Sequence, residues 1–212
     1  MRIAIVSEDS QCTKNPMLEG ALRRAVEPLG HTVFNYGMYG EDSNPISYVQ
    51  TGILASVLLN GGAADFVVTG CGTGGGAMLS LNSFPGVICG YVTDPLDAFT
   101  FAQINGGNAV SVPLALKCGL GQELGLKYTF EKLFSSQLGG GYPAESAASE
   151  LEARQTLDVV RANNFRPFAE LLENLDRDLT RGALSGERFQ ELFFANATDS
   201  AVAAKVREIL EL

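Results

Sequence analysis

The chain of 212 residues has no tryptophan and a single histidine, His31. With one imidazole, no two-histidine metal site can be assembled within the chain, and the usual acid–base group near neutral pH is almost missing. Proton chemistry must therefore fall to Cys, Asp, Glu or Tyr, or to a partner chain. Four cysteines are present, Cys12, Cys71, Cys89 and Cys118. Their spacing fits no zinc pattern, so free thiols are expected. Positive charge is also scarce: 15 Lys+Arg stand against 24 Asp+Glu, a net charge of −9 with no basic run. A nucleic-acid partner is not expected, because phosphate contacts need clustered cations. Apolar stretches stop short of the roughly 20 residues that cross a bilayer, so no membrane span is expected. The opening MRIAIVSE has no charged-then-apolar-then-small signal pattern, and the expected location is cytoplasmic. No metal and no cofactor is called for.

What is present is a rhythm of strand-like and helix-like runs. Apolar patterning predicts strands over 2–7, 32–36, 65–69, 86–92 and 109–113. It predicts helices over 15–29, 48–60, 95–104 and 122–135. Strands alternating with helices imply right-handed βαβ units and a three-layer α/β Rossmann-like sandwich with a five-stranded parallel sheet. Residues 1–137 are read as this domain. The run Leu138–Pro143, LGGGYP, breaks the pattern. Residues 144–212 are read as a helical C-terminal extension, with helices over 144–162, 166–179, 186–194 and 200–210. Phe189, Leu192, Phe193 and Phe194 form an aromatic patch there. The extension either packs on its own domain or wraps a partner subunit.

Ligands of parallel sheets bind beyond the carboxyl ends of the strands, here after Ser7, Thr69, Val92 and Pro113. The strongest segment is VVTGCGTGGGAML, residues 67–79, in which Gly70, Gly72, Gly74, Gly75 and Gly76 surround Cys71 and Thr73. Glycine permits a tight turn and close approach of a ligand. A helix start adds unpaired N–H groups and a positive dipole end, and together these form an anion nest. A helix N-terminus favours the thiolate of a nearby cysteine. A thiolate beside N–H donors suits removal of a proton from carbon next to a carbonyl, with the donors stabilising the enediolate. The same turn also has readings without such chemistry. It is not a P-loop, because no Gly-Lys-Ser/Thr follows. Gly70, Gly72 and Gly75 have the spacing of a dinucleotide fingerprint, but after the third strand rather than the first. A buried cysteine is also often inert core.

Past the first strand, Glu8, Asp9, Ser10, Thr13 and Lys14 are candidates to face the substrate. Lys14 could hold a carboxylate, and Glu8 or Asp9 could bond hydroxyls. The competing reading is a solvated loop in which Thr13 caps the next helix. Asp94 before Pro95 reads as a helix cap, His31 as a structural turn residue, Cys12 as a pocket edge, and Cys89 and Cys118 as core.

The Cys-Gly-Thr-Gly turn, the opening MRIAIV, the segment GHTVFNYG and Asp94-Pro95 after a strand resemble the ribose-5-phosphate isomerase B / galactose-6-phosphate isomerase family. Asn105-Gly106-Gly107-Asn108-Ala109-Val110 is similar to that family's His-Asn-Asp-Ala-Asn-Val. The whole chain, with NYGMYG, NSFPGV and the helical tail, is most similar to a long branch that includes 4-deoxy-L-threo-5-hexosulose-uronate isomerases. The resemblance implies a metal-free aldose–ketose isomerase working through a cis-enediolate on a small sugar. It implies that Cys71 is the base, that Thr73 assists as proton donor, and that Gly72 and Gly74–Gly76 supply the anion hole. Asn105 matches an active-site asparagine and Tyr48 a pocket tyrosine. It also implies a homodimer or homotetramer with sites at the subunit interface. The departures are informative: the family's Asp-His is Glu8-Asp9 here, its ring-opening His is Ile104, and its His before Asp-Pro is Thr93. Arg154, Arg161 or Lys117 could replace the missing phosphate-holding residues. These changes favour an open-chain substrate bearing a carboxylate or hydroxyls instead of phosphate. The alternatives are a ribose-5-phosphate or galactose-6-phosphate isomerase proper, a silent sugar- or nucleotide-binding module, and a thiol hydrolase.

Overall fold

The structure is a computed structural model that describes residues 1–38 and 44–212. In strand β1 (Arg2–Ser7), Ile3 and Ile5 face one way and Ala4 and Val6 the other, and all four are buried. This is the two-residue period of a strand covered on both faces. Strands β2 (Thr32–Asn35), β3 (Phe66–Cys71), β4 (Cys89–Tyr91) and β5 (Ala109–Pro113) complete a five-stranded sheet of order β2-β1-β3-β5-β4. Every pairing is parallel, with Ser7 beside Gly70 and Cys71 beside Pro113 at the carboxyl edge. The expected three-layer α/β fold is therefore observed.

One face carries α1 (Asn15–Val26), α4 (Pro95–Thr100) and α5 (Gln122–Leu133). Their Leu18, Leu22, Ala98, Leu126 and Phe130 join Ile3, Ile5, Phe66, Val68 and Val110 in one core. The other face carries α2 (Tyr48–Asn60) and α3 (Gly75–Asn82), whose Leu54, Leu58 and Leu81 meet Ala4, Val6 and Val67. Each such Leu or Phe contributes about 1.5–3 kcal/mol by leaving water. Helix α2 starts on a complete capping box, in which Ser47 and Gln50 satisfy each other's backbone amides.

The extension comprises α6 (Ala147–Asn164), α7 (Phe168–Asn174), α8 (Arg177–Leu184), α9 (Glu187–Asn196) and α10 (Ser200–Leu210). Leu172, Leu184, Phe189, Phe193, Val202 and Val206 are buried in the same core as α2 and β1. The Phe189 and Phe193 rings stack at 5.1 Å. Helices α7–α10 thus pack on their own chain. Helix α6 is different: none of its residues is buried. It is tied down by Arg154, which donates to the Asn105 and Gly106 carbonyls, and by Arg161, which donates to those of Phe84 and Val87.

Several boundaries differ from the pattern-based expectation. The first helix stops at Val26 and tightens into a 3-10 turn, Glu27–Leu29, before left-handed Gly30. The helix expected over 95–104 ends at Thr100 and widens into a π-turn, Phe101–Asn105. The helix expected over 166–179 is two, because Leu175 is extended and Asp176 then caps α8 through the Leu179 amide. Thr13 caps nothing: a 3-10 turn, Asp9–Lys14, runs directly into α1, and Lys14 holds the capping position without a side-chain bond. Cys89 is buried as expected, whereas Cys118 is only half-buried and Cys12 packs partly against the α2 core. Tyr39 and Gly40, the end of NYGMYG, lie outside the described residues. Among the described residues no helix is long and apolar enough to cross a membrane.

Candidate active site

Strand β3 is buried along its whole length between β1 and β5. That fixes Cys71 as its last residue, at the carboxyl edge of the sheet, with 7% of its surface exposed. The chain then turns through Gly72, Thr73 and Gly74 into α3. Gly74 is the N-cap, with φ 78°, a left-handed conformation that glycine adopts without strain. A side chain there would also press on the Tyr91 ring and on the backbone of Val112 and Pro113. This geometry aims the Gly74 N–H at the Cys71 sulfur, with N···Sγ 3.1 Å.

The turn's carbonyls are all used. Cys71 O accepts from Leu114 N, and Gly72 O from Ala115 N and Leu116 N. Thr73 O accepts from the Tyr91 hydroxyl at 2.9 Å, and Gly74 O from the Ser111 hydroxyl at 2.7 Å. The amides that open α3, those of Gly75 and Gly76, have no carbonyl four residues back to bond. The result is a turn with its acceptors satisfied and donors to spare. Thr73 is exposed at its apex. Tyr48, at the start of α2, is half-exposed with its ring against Gly76, where a Cβ would come within 3.1 Å of it.

The loop after β1 borders the same turn. Glu8 is 5% exposed and accepts from the Ser10 amide and hydroxyl. The Gln11 side chain donates to the Ser10 hydroxyl, and the Lys14 ammonium donates to Gln11 Oε1 and to the Leu114 carbonyl. The Gln11 amide nitrogen lies 3.8 Å from where a Gly72 side chain would begin. This chain of bonds carries a carboxylate at one end and an ammonium at the other. Asp9 and Thr13 are exposed on the same loop. Gln11, Tyr91 and Ser111 were not singled out in the sequence. Only their placement in contact with the turn marks them, although β5 ending beside β3, with β4 next to it, is a signal that strand order would have supplied.

Asn105 is not brought to this cluster. It is the last residue of the π-turn that precedes β5, so it lies at the amino edge of the sheet. The five residues of β5 hold the two edges on the order of 15 Å apart at about 3.3 Å per residue. Asn105 is exposed there and lines a cavity of about 290 Å³ with Ile104, Glu150 and Arg154. On the carboxyl side, beyond β4 and β5, a cavity of about 350 Å³ is lined by Thr93, Asp94, Lys117 and Gln122. Asp94 accepts from the Leu96 and Asp97 amides and is the helix cap expected of it. His31 sits at its turn beside the chain's terminal amine, 3.1 Å away. Burial and that positive neighbour hold its pKa below the usual value. Among the described residues no group of three or more His, Cys, Asp or Glu is disposed to hold a metal.

A parallel α/β sheet with a cysteine-headed glycine nest at its carboxyl edge defines the class, and comparison with known proteins gives the family. Residues 3–130 match the family model described as Ribose/Galactose Isomerase, and residues 164–209 match a second described as Ribose-5-phosphate isomerase. A solved 4-deoxy-L-threo-5-hexosulose-uronate ketol-isomerase, complexed with a tartrate, is 46% identical over 100% of both chains, with a TM-score of 0.98. A ribose-5-phosphate isomerase from Vibrio parahaemolyticus is 45% identical over 99% of both, with a TM-score of 0.96. The type B ribose 5-phosphate isomerase of Trypanosoma cruzi shares the fold at 16% identity and a TM-score of 0.64, over 77% of this chain and 99% of its own. No curated protein matches. The chain belongs to the ribose/galactose isomerase family, and it is an aldose–ketose isomerase.

Proposed function

We propose that the enzyme moves a proton between adjacent carbons of an open-chain sugar acid through a cis-enediolate, with Cys71 as the base. The observation that carries this reading is the Gly74 N–H donated to the Cys71 sulfur at 3.1 Å. That amide fixes the sulfur beside the spare donors of the turn, where a substrate carbonyl would lie within reach of both. Cys71 takes the proton from the carbon next to the carbonyl. The electron pair moves onto the carbonyl oxygen, where the Gly75 and Gly76 amides and the Thr73 hydroxyl stabilise it. The proton returns from sulfur to the neighbouring carbon, and the hydroxyl proton is exchanged through Thr73.

The substrate we favour lacks phosphate, as 4-deoxy-L-threo-5-hexosulose uronate does. A buried Glu8 at the mouth repels a phosphate dianion, while Lys14, which meets no carboxylate among the described residues, is able to hold one carboxylate. Ile104, where the family opens sugar rings with a histidine, supports an already open chain. Tyr48 and Ser10 flank the entry, and Asp9 and Thr13 extend it. We further propose a cytoplasmic homo-oligomer in which Asn105 of a second copy completes the site.

The test is hydrogen exchange at the substrate's second carbon in heavy water, with a panel of the deoxy-ketouronate, ribose 5-phosphate, galactose 6-phosphate and free pentoses. Cys71→Ala is expected to abolish exchange with every substrate. Exchange that survives it removes Cys71 as the base. The ribose-5-phosphate isomerase among the solved relatives keeps that phosphate in the panel, and efficient turnover of it would overturn the substrate assignment.

A further inference from the structure

Tyr91 ends β4, the edge strand of the sheet, yet its side chain reaches past β5 to the turn that follows β3. The two-residue period of a strand puts it on the same face as Cys89, which packs in the core on the α2 and α3 side. Its register partner in β5 is Ser111, on that face with Ala109. Hydroxyls from two strands thus take consecutive carbonyls of one turn, Tyr91 that of Thr73 at 2.9 Å and Ser111 that of Gly74 at 2.7 Å.

The two bonds are not equivalent. The Gly74 carbonyl, at the N-cap, also opens the ladder of α3 by accepting from the Met78 amide at 3.1 Å, as an N-cap carbonyl does. The Thr73 carbonyl stands one residue earlier, outside that ladder, and accepts from the Tyr91 hydroxyl. That carbonyl and the Gly74 N–H are the two ends of a single peptide unit. A trans peptide is planar, and its C=O and N–H point in opposite directions. A hydroxyl bonded to one end therefore aims the other, and the other donates to the Cys71 sulfur at 3.1 Å. Gly72, Gly74 and Gly75 give the turn little torsional resistance of its own, so the plane depends on what is bonded to its ends. A donor on the carbonyl also polarises the amide and strengthens the bond made by its N–H. The same contact holds the backbone of Thr73, whose hydroxyl the proposed mechanism uses. With 39% of its surface exposed, Tyr91 adds little to the core.

We propose that Tyr91 is a positioning residue of the isomerase, acting on Cys71 through the Thr73–Gly74 peptide and not on the substrate. The inference rests on the reading of Cys71 as the base.

Steady-state kinetics of Tyr91→Phe, Tyr91→p-aminophenylalanine and Cys71→Ala, each run with the deoxy-ketouronate and with ribose 5-phosphate, test it alongside thermal unfolding. Tyr91→Phe keeps the ring and loses the hydroxyl. It is expected to lower kcat at least tenfold, to leave KM within threefold and to lower Tm by about 2–4 °C. Tyr91→p-aminophenylalanine restores a donor at the same place and is expected to bring kcat back to within threefold of wild type. A merely structural tyrosine would move Tm but not kcat at a temperature where both proteins are folded, and that result overturns the inference. So does a loss carried by KM, which would put the hydroxyl on the substrate, or a Tyr91→p-aminophenylalanine enzyme no better than Tyr91→Phe. An inactive Cys71→Ala beside a fully active Tyr91→Phe removes the positioning role alone. An active Cys71→Ala removes the base, and with it the path through the peptide.

Discussion

Replacing Gly74 with alanine probes the geometry on which the site depends. The residue sits at φ 78°, where an L side chain costs about 1–2 kcal/mol. The new Cβ would lie 2.7 Å from the Tyr91 ring and 3.0 Å from Pro113 N and the Val112 carbonyl carbon. Tyr91 is tied by its hydroxyl to Thr73 O, and the other two atoms are backbone of the adjacent strand, so none gives way freely. Overpacking of this kind adds about 1–3 kcal/mol, and the stiffer unfolded chain returns about 0.4–1 kcal/mol. The net loss is about 2–4 kcal/mol, which for a chain of this length lowers Tm by roughly 5–15 °C. The same shift pulls the Gly74 amide off the Cys71 sulfur. The expected loss in kcat/KM is therefore at least tenfold at a temperature where both proteins are folded, approaching the hundredfold typical of a lost anion-hole donor. Thermal unfolding followed by circular dichroism, together with steady-state isomerase kinetics, checks both. A Gly74→Ala enzyme with wild-type Tm would refute the steric argument. One that is destabilised yet fully active would refute the role of the amide.

Gly125 lies exposed within α5 with open space where a Cβ would stand, so Gly125→Ala is expected to raise stability by about 0.5–1 kcal/mol in the same unfolding assay. Phe193→Ala empties the centre of the α9 packing, where the ring is fully buried, and is expected to cost about 3–5 kcal/mol in denaturant titration. Burial pushes the Tyr36 hydroxyl up to about 12 and the Cys89 thiol well above its usual range. Unfolded chains ionise first, so stability falls as pH rises, through Cys89 from about 8.5 and through Tyr36 between about 10 and 12; Cys89→Ala and Tyr36→Phe should each flatten its own part of the Tm–pH curve. Cys71→Ala and Asn105→Ala are each expected to be inactive, while their equal mixture, after subunit exchange, regains about a quarter of wild-type activity if two copies share each site.

The parallel sheet was legible because strands covered on both faces declare themselves: RIAIVS holds four successive apolar residues and FVVTGC opens with three, and helix-length runs separate them. The Cys71 turn was legible because glycine at several successive positions has few other uses, and Gly74 shows the left-handed geometry that glycine permits. The break at Leu175 was not, since the apolar period runs on across it, and only the Asp176 side chain bonding the Leu179 amide ends one helix and starts another. Thr13 had the chemistry of a cap but lost the position to a 3-10 turn whose own cap is Glu8. The tethers of α6 were invisible for a different reason. Arg154 and Arg161 bond backbone carbonyls, and a carbonyl carries no residue type for a pattern to find.

The same topology limits what one chain can assemble. Parallel strands send every carboxyl end to one edge, so Cys71, Thr73, Glu8 and Lys14 gather there by construction. The connections that enter the strands gather at the opposite edge, and Asn105, Gly106 and the arginines of α6 meet there. No rotation of side chains brings the two sets together across the length of β5. One edge holds the groups suited to stabilise a carbanion and the other the groups suited to hold an anion at rest. A single enzyme can use both on one molecule only if the amino edge of one copy faces the carboxyl edge of another. The carbonyl tethers of α6 fix the amino-edge set before any such encounter, so association would complete the site without reshaping either half.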